Sequence, residues 1–311
     1  MTADRPDDRL TDRLDVRKTF KLYIGGAFPR SESGRSFVVR DAEGRFWANA
    51  AQASRKDARD AVVAARKAQP GWAARAPYLR GQVLYRVAEV LEGRKAQFAA
   101  EVGRSEGLAA ARAEAVVDAA IDRWVWYAGW ADKVGQVLGG ANPVAGPYFN
   151  LSTPEPTGVV AVVAPQESSL LGLVSVIAPV VATGGTVVVI ASERVPLPAV
   201  TLAEVLATSD VPGGVVNVLT GRVAEIAPWL ASHLDVDALD LTGVSGPAAA
   251  SGDAAGEPAG QLAGELEAAA AENLKRVRRP PAAAEDWTAD PGMDRLRWTL
   301  EIKTVWHPVG V

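Results

Sequence analysis

The pattern of hydrophobic and polar positions changes character several times along the chain. Residues 1–17 (MTADRPDDRLTDRLDVR) are mostly charged and carry no period that would bury a face, which predicts a mobile tail, with a short helix as the alternative. From Phe20, the stretches FKLYIGGAFPR and RSFVVRDAEGRFWANAAQA read as short strands broken by Gly-Gly and Glu-Gly turns. Ser54-Arg-Lys-Asp57 has the spacing of a reciprocal helix N-cap, and Ala61, Val62, Ala65 and Ala68 follow at helical spacing. A second helix is predicted from about Tyr78 to Glu101, with Val83, Leu84, Val87, Leu91 and Phe98 on one face. A third runs from Leu108 to Lys133, and its Trp124 and Trp126 read as packing residues rather than a binding box.

Residues 136–164 form a hairpin-like stretch that ends in the apolar run Val159 to Ala164, as expected of a strand buried on both faces. Helix and strand then alternate: Leu170–Thr183, Thr186–Ile190, Pro198–Ala207, Val215–Leu219, Arg222–Ser232 and Ala238–Leu241. This alternation predicts an α/β fold, a Rossmann-like parallel sheet with flanking helices and right-handed crossovers. After Val244 the composition turns to Ala, Gly and Glu up to residue 272, and 278–292 (RRPPAAAEDWTADPG) reads as a linker. The chain closes with one isolated strand, Leu300, Ile302, Thr304 and Trp306 alternating with Glu301 and Lys303. The predicted organisation is therefore a tail (1–17), an α/β domain (18–246) with an arm hairpin at about 136–163, an Ala/Gly/Pro-rich helix and linker (247–292), and a C-terminal arm strand (293–311). A lone strand has to pair with something.

Composition narrows the chemistry. With 311 residues, 48% hydrophobic and 23% charged, the chain is ordinary globular protein, large enough to bury a core without disulfide or metal staples. It contains no cysteine, which removes disulfides, thiolate metal sites and every thiol nucleophile. His233 and His307 are the only imidazoles, and no metal site is expected. A net charge of −4 argues against a nucleic-acid surface. No apolar run reaches the ~18 residues of a membrane span, and the polar N-terminus is unlike a signal peptide, so a cytoplasmic protein is expected.

The segments LYIGGAF, ESGRSF, AARKAQPGWAARAP and AAIDRWVWYAGWADKVGQV resemble the N-terminal part of the aldehyde dehydrogenase superfamily. PTGVVAVVAPQESSLLGLVSVIAPVVATGGTVVVIASERVPLPA, PGGVVNVLTG and VDALDLTG resemble its nucleotide-binding domain. Asn273-Leu-Lys-Arg-Val277 is similar to the segment ahead of the family's catalytic glutamate, and Glu301-Ile-Lys-Thr-Val305 to its last strand. The resemblance implies a coenzyme lying across the strand ends, a separate catalytic domain carrying the cysteine nucleophile, and an arm that pairs with a neighbouring subunit's catalytic domain.

Departures from that pattern bear on function. The nucleophile that would attack an aldehyde carbonyl is missing. Pro280 stands where the family has its general-base glutamate, and Glu285 does not fit that register. Gln166-Glu167 replaces the family's Trp-Asn pair, so a carboxylate that would repel an oxyanion stands where an amide would stabilise it. The strand-end lysine that holds the adenosine ribose becomes Ile190, although Glu193 survives. Val244 replaces a serine near the pyrophosphate, and Pro247 sits in the opening turn of the helix expected there. Only a linker lies between Val277 and the terminal strand, where the family has its catalytic domain.

These readings leave no catalytic residue to nominate. The expected cofactor-binding positions are Glu193, Pro165, Gln166, Gly221, Gly243 and Val244, with NAD the dinucleotide implied because Glu193 disfavours a 2′-phosphate. Thr220-Gly221 and Thr242-Gly243 also read as plain strand-to-helix turns, and His233 and His307 as surface residues. The function expected is a non-catalytic subunit pairing through its arm with a full-length aldehyde dehydrogenase. The alternatives are an NAD(P)-dependent oxidoreductase acting on aldehydes and a nucleotide-binding regulator or relic.

Overall fold

A computed structural model describes residues 18–244 and 259–309. The tail 1–17, Pro247 and the first part of the Ala-rich stretch lie outside the described residues. In chain order, β1 (Thr19–Phe20), β2 (Ser36–Arg40) and β3 (Phe46–Ala51) precede the helices α1 (Arg55–Ala74), α2 (Pro77–Gly93), α3 (Lys95–Glu106), α4 (Ala110–Trp130) and α5 (Val134–Leu138). Then come β4 (Gly140–Asn142), β5 (Tyr148–Pro156), β6 (Val159–Val163), α6 (Leu171–Thr183), β7 (Thr186–Ile190), α7 (Leu197–Ala207), β8 (Val216–Leu219) and α8 (Val223–Ser232). The described chain ends with β9 (Ala238–Asp240), α9 (Ala259–Ala271), β10 (Arg276–Arg278), α10 (Asp294–Trp298) and β11 (Leu300–Pro308).

The centre is a parallel sheet of order β10-β9-β6-β7-β8, flanked by helices as the alternation predicts. Its central strands β6 and β7 are buried along their whole length and almost wholly apolar, because both faces are covered. Val160, Val162, Val187 and Val189 pack into the core built with α2, α3, α4 and α6. Val159, Ala161, Val163, Val188 and Ile190 pack into a second core with α1, α8 and α9. The fifth strand, β10, comes from beyond residue 246, since Arg276, Val277 and Arg278 pair with Ala238, Leu239 and Asp240.

Local signals explain most element boundaries. The Ser54 hydroxyl accepts from the Lys56 and Asp57 amides, and Asp57 accepts from Ser54 N–H at 2.7 Å, which starts α1. The continuous helix expected over 78–101 is broken: α2 ends at Gly93 and α3 starts at Lys95. Arg94 leaves helical geometry at Gly93, a weak helix former, and its guanidinium reaches Glu204 on α7 at 2.7 Å.

The terminal strand pairs within the chain. β11 runs antiparallel to β5 from Leu300 opposite Pro156 to Pro308 opposite Tyr148, and β4 completes a sheet of order β11-β5-β4. This is the protruding arm: after Leu300, every residue of β11 is exposed. Its root is held firmly. Thr157 N–H donates to Thr299 O at 3.0 Å, and Arg276 donates to Trp298 O at 2.8 Å and Leu300 O at 2.6 Å.

Candidate functional site

Open parallel sheets bind ligands beyond the carboxyl ends of their strands, where the strand order reverses. Here the chain runs β6, β7, β8 in one direction and then returns to β9 on the other side of β6, so the reversal lies between β6 and β9. The structure places all the expected cofactor positions along this rim: Pro165 and Gln166 after β6, Glu193 after β7, Gly221 after β8, Gly243 and Val244 after β9.

Gln166 and Glu193 are brought together. The Gln166 side chain donates to Ala164 O at 2.8 Å and accepts from Glu193 N–H at 2.9 Å, so it ties the end of β6 to the end of β7. Ser192 strengthens the same joint by donating to Gln166 O at 2.9 Å. The Glu193 carboxylate accepts from the Val223 amide at the start of α8 and from Arg222 at 3.2 Å. A carboxylate there satisfies an orphan N–H and complements the helix dipole.

The remaining positions are packing sites. Pro165 is buried against α6, where a Cβ on Gly172 would come within 3.1 Å of its Cγ. Gly221 (φ +145°) lies against Ala53 and Ile226, each 3.1 Å from where its Cβ would be. Gly243 sits directly on the end of β6: a Cβ there would lie 1.8 Å from Ala164 O. Val244 is 4% exposed and belongs to the core beneath α8 and α9.

Two features of the rim escaped the sequence reading. Glu167 is not an isolated charge, because Arg194 of the Ser-Glu-Arg turn forms an ion pair with it. Behind the same loop, Glu106 at the end of α3 accepts from Ser169 N–H at 2.7 Å and Ser169 Oγ at 2.6 Å. Burial raises the Glu106 carboxyl above its ordinary value, opposed by the Ser169 donors. The only sequence signal for Glu106 was an acid at a helix C-terminus, where the dipole disfavours it.

At the β9–β10 end the linker forms a strap, residues 279–299, seated by buried arginines. Arg295 pairs with Asp240 at 3.2 Å and Glu285 at 2.8 Å, and lies 5.1 Å from the Trp287 ring centroid. Arg123 of α4 donates to Trp287 O at 2.8 Å and Ala289 O at 2.9 Å. Glu285 is thus an ion-pair partner. Beneath the strap, the buried Tyr127 hydroxyl has no partner among the described residues, and desolvation pushes it up to about 12. His233 caps the end of α8 and accepts from Asp235 N–H at 3.1 Å, and His307 is exposed on β11. Among the described residues, no cluster of acids and histidines has the make-up of a metal site.

Glu193 accepts from Val223 N–H through one oxygen and from Arg222 through the other, which leaves each oxygen a further acceptor site for a ribose hydroxyl, whereas Gln166 spends its amide on the backbone. Ile190, which stands where the resemblance implies a cation, is fully buried. The rim thus keeps Glu193 as an acceptor for a ribose and lacks the cation that the resemblance implies at Ile190, so the fit to NAD is partial.

Comparison with known proteins gives the lineage. The family model described as "Aldehyde dehydrogenase family" matches residues 28–271. Retinal dehydrogenase 2 of Homo sapiens is 32% identical over 272 residues, covering 86% of this chain and 49% of that protein. An aldehyde dehydrogenase of Davidiella tassiana is 31% identical over 259 residues, 82% of this chain and 49% of that one. The crystal structure of PnpE from Pseudomonas sp. WBC-3 superimposes with a TM-score of 0.74 at 27% identity, over 84% of this chain and 50% of PnpE. PnpE has also been solved in complex with nicotinamide adenine dinucleotide. The chain thus spans about half the length of the relatives it matches. With the family model matching well over half of its length, residues 28–271, this chain belongs to the aldehyde dehydrogenase family.

Proposed function

We propose that the chain is a non-catalytic, cytoplasmic subunit of aldehyde dehydrogenase type, and that its arm adds a strand to the catalytic domain of a full-length aldehyde dehydrogenase. The observation that carries this reading is the arm itself. β11 is paired with β5 over nine positions and rooted in the body, yet its outer edge pairs with nothing among the described residues. An exposed edge of that length invites another strand, and natural proteins cover or blunt such edges.

The rest of the molecule supports the same reading. The sequence contains no thiol, Pro280 has no titratable group, and Glu167 is bound to Arg194 rather than offering an amide to an oxyanion. The strap occupies the stretch of sequence between β10 and β11, where the family resemblance implies a catalytic domain. NAD is a weak ligand at most in this reading, since Ile190 replaces the cation that the resemblance implies and the Gln166 amide is already engaged.

The test is a pull-down of the tagged full chain from its native cytoplasm, followed by size-exclusion chromatography with light scattering. Co-elution of a full-length aldehyde dehydrogenase at fixed stoichiometry is the expected result. Recovery of the chain without any such enzyme overturns the proposal. NADH formation from aldehydes by the chain alone, free of contaminating enzyme, would establish an oxidoreductase instead.

A further inference from the structure

The free edge of β11 has a definite hydrogen-bonding pattern. Thr157 N–H donates to Thr299 O at 3.0 Å and Val309 N–H donates to Pro147 O at 2.8 Å, so odd-numbered residues of the strand turn their backbone groups toward β5. Antiparallel ladders alternate, and the even-numbered residues therefore face outward. Leu300 agrees, since its outward carbonyl is taken by Arg276. So does Pro308, which has no N–H to leave unsatisfied. Among the described residues, the N–H and C=O of Ile302, Thr304 and Trp306 and the C=O of Pro308 face outward without a strand partner.

Ile302 and Trp306 are spaced symmetrically about Thr304. We infer that, when no full-length partner is present, β11 pairs antiparallel with β11 of a second copy about a two-fold axis at Thr304, joining two arms into one six-stranded sheet. Thr304 exchanges both backbone bonds with Thr304 of the second copy. Ile302 does so with Trp306 of the second copy, and Trp306 with Ile302. Every free donor on the edge is then satisfied. Displacing the axis to Ile302 meets the occupied Leu300 carbonyl, and displacing it to Trp306 meets Pro308.

Side chains support this register. Ile302 and Trp306 are large, apolar and more than half exposed, at 54% and 58%, and the axis sets them opposite one another on one face. Tyr148 already packs edge-on against Trp306 on that face, with centroids 5.9 Å apart. On the other face Glu301 comes opposite His307 of the second copy, an acid against an imidazole, and Lys303 comes opposite Val305. No like charges meet directly. Self-pairing and capture of a full-length enzyme use the same edge and exclude one another, so the dimer is a resting form that the partner must open. That regulatory step rests on the function proposed above. The dimer itself does not.

The experiment uses the purified full chain alone. Light scattering after size exclusion is expected to give twice the chain mass of 32.6 kDa at micromolar concentration. Thr304→Lys sets two like charges opposite each other and should raise the dissociation constant roughly fivefold or more while the circular dichroism of the chain is unchanged. The cysteine-free sequence permits a register test. Thr304→Cys, with Cα atoms about 5.5 Å apart across the axis, should cross-link under a copper-phenanthroline oxidant. Ile302→Cys, whose counterpart lies several positions away, should not. A monomer at about 100 µM, or equal cross-linking of the two cysteine variants, overturns the inference. Neither outcome bears on the pull-down, so failure here and failure of the partner reading remain distinguishable.

Discussion

Removing the Asp240 carboxylate tests whether the strap is latched from inside. Asp240 is 2% exposed and Arg295 5%, with 3.2 Å between their charged groups. In Asp240→Asn, the remaining side-chain oxygen can still accept from Thr242 N–H, a bond of 2.9 Å in the native chain, but Arg295 loses its buried counter-ion. Stranding one member of a buried pair costs about 3–5 kcal/mol. Glu285 remains 2.8 Å from Arg295, so the lower end, about 3 kcal/mol, is expected. Arg295→Met leaves Asp240 with its Thr242 donors and should cost less, about 2 kcal/mol. The double variant should fall short of the sum by about 1.5 kcal/mol or more, because the two side chains share one interaction. Urea unfolding followed by tryptophan fluorescence reports on the body and, through Trp287 and Trp298, on the strap. Hydrogen exchange at β11 reports whether the arm root loosens with it. A cost below about 1 kcal/mol for Asp240→Asn, or a coupling near zero, would refute the latch.

Other expectations follow from the rim and the helices behind it. Gly243→Ala should cost about 3 kcal/mol or more, because its Cβ would lie 1.8 Å from Ala164 O and only a backbone shift relieves that; an unchanged urea midpoint would contradict the packing described. Burial raises the Glu106 carboxyl, so its contribution to stability is complete below the unfolded value and is lost as pH rises through the folded one. Glu106→Gln keeps an oxygen for both Ser169 donors and should equal or exceed the native stability at neutral pH, with the difference shrinking on acidification; a large neutral-pH loss would count against this. Tyr127→Phe removes a hydroxyl without a partner and should change stability by less than about 0.5 kcal/mol at neutral pH. The phenol is raised from 10.0 to about 12, so the native chain should lose more stability than the variant as pH rises across that interval in alkaline melts.

Much of this architecture was legible before any coordinates. Short apolar runs of Val, Ile and Leu alternating with helices report a sheet covered on both faces, and the Ser54–Asp57 cap, α4 and the isolated pattern of β11 were found where expected. The break at Arg94 was hidden, because the apolar period of α2 runs into α3 without a proline and the bend depends on Glu204 far along the chain. The candidate site was legible as a list of positions but not as chemistry. Glu193 and Gln166 stood out, yet nothing local said that they bond to each other's loop and to the start of α8.

The sequence alone settled which reactions lack their reagents, because a missing thiol and a proline in place of an acid do not depend on folding. It also settled the alternation of strands and helices from β6 to β9, since periodicity and caps act over a few residues. Only the tertiary structure decided what each charge is paired with. Glu167 with Arg194, Asp240 with Arg295, and Glu106 with Ser169 join residues 27, 55 and 63 positions apart. It likewise decided which backbone groups of β11 stay free, because that parity is set by the partner strand β5 and by the anchored root at Thr299. Contacts between distant residues are created by packing, and no local pattern encodes them.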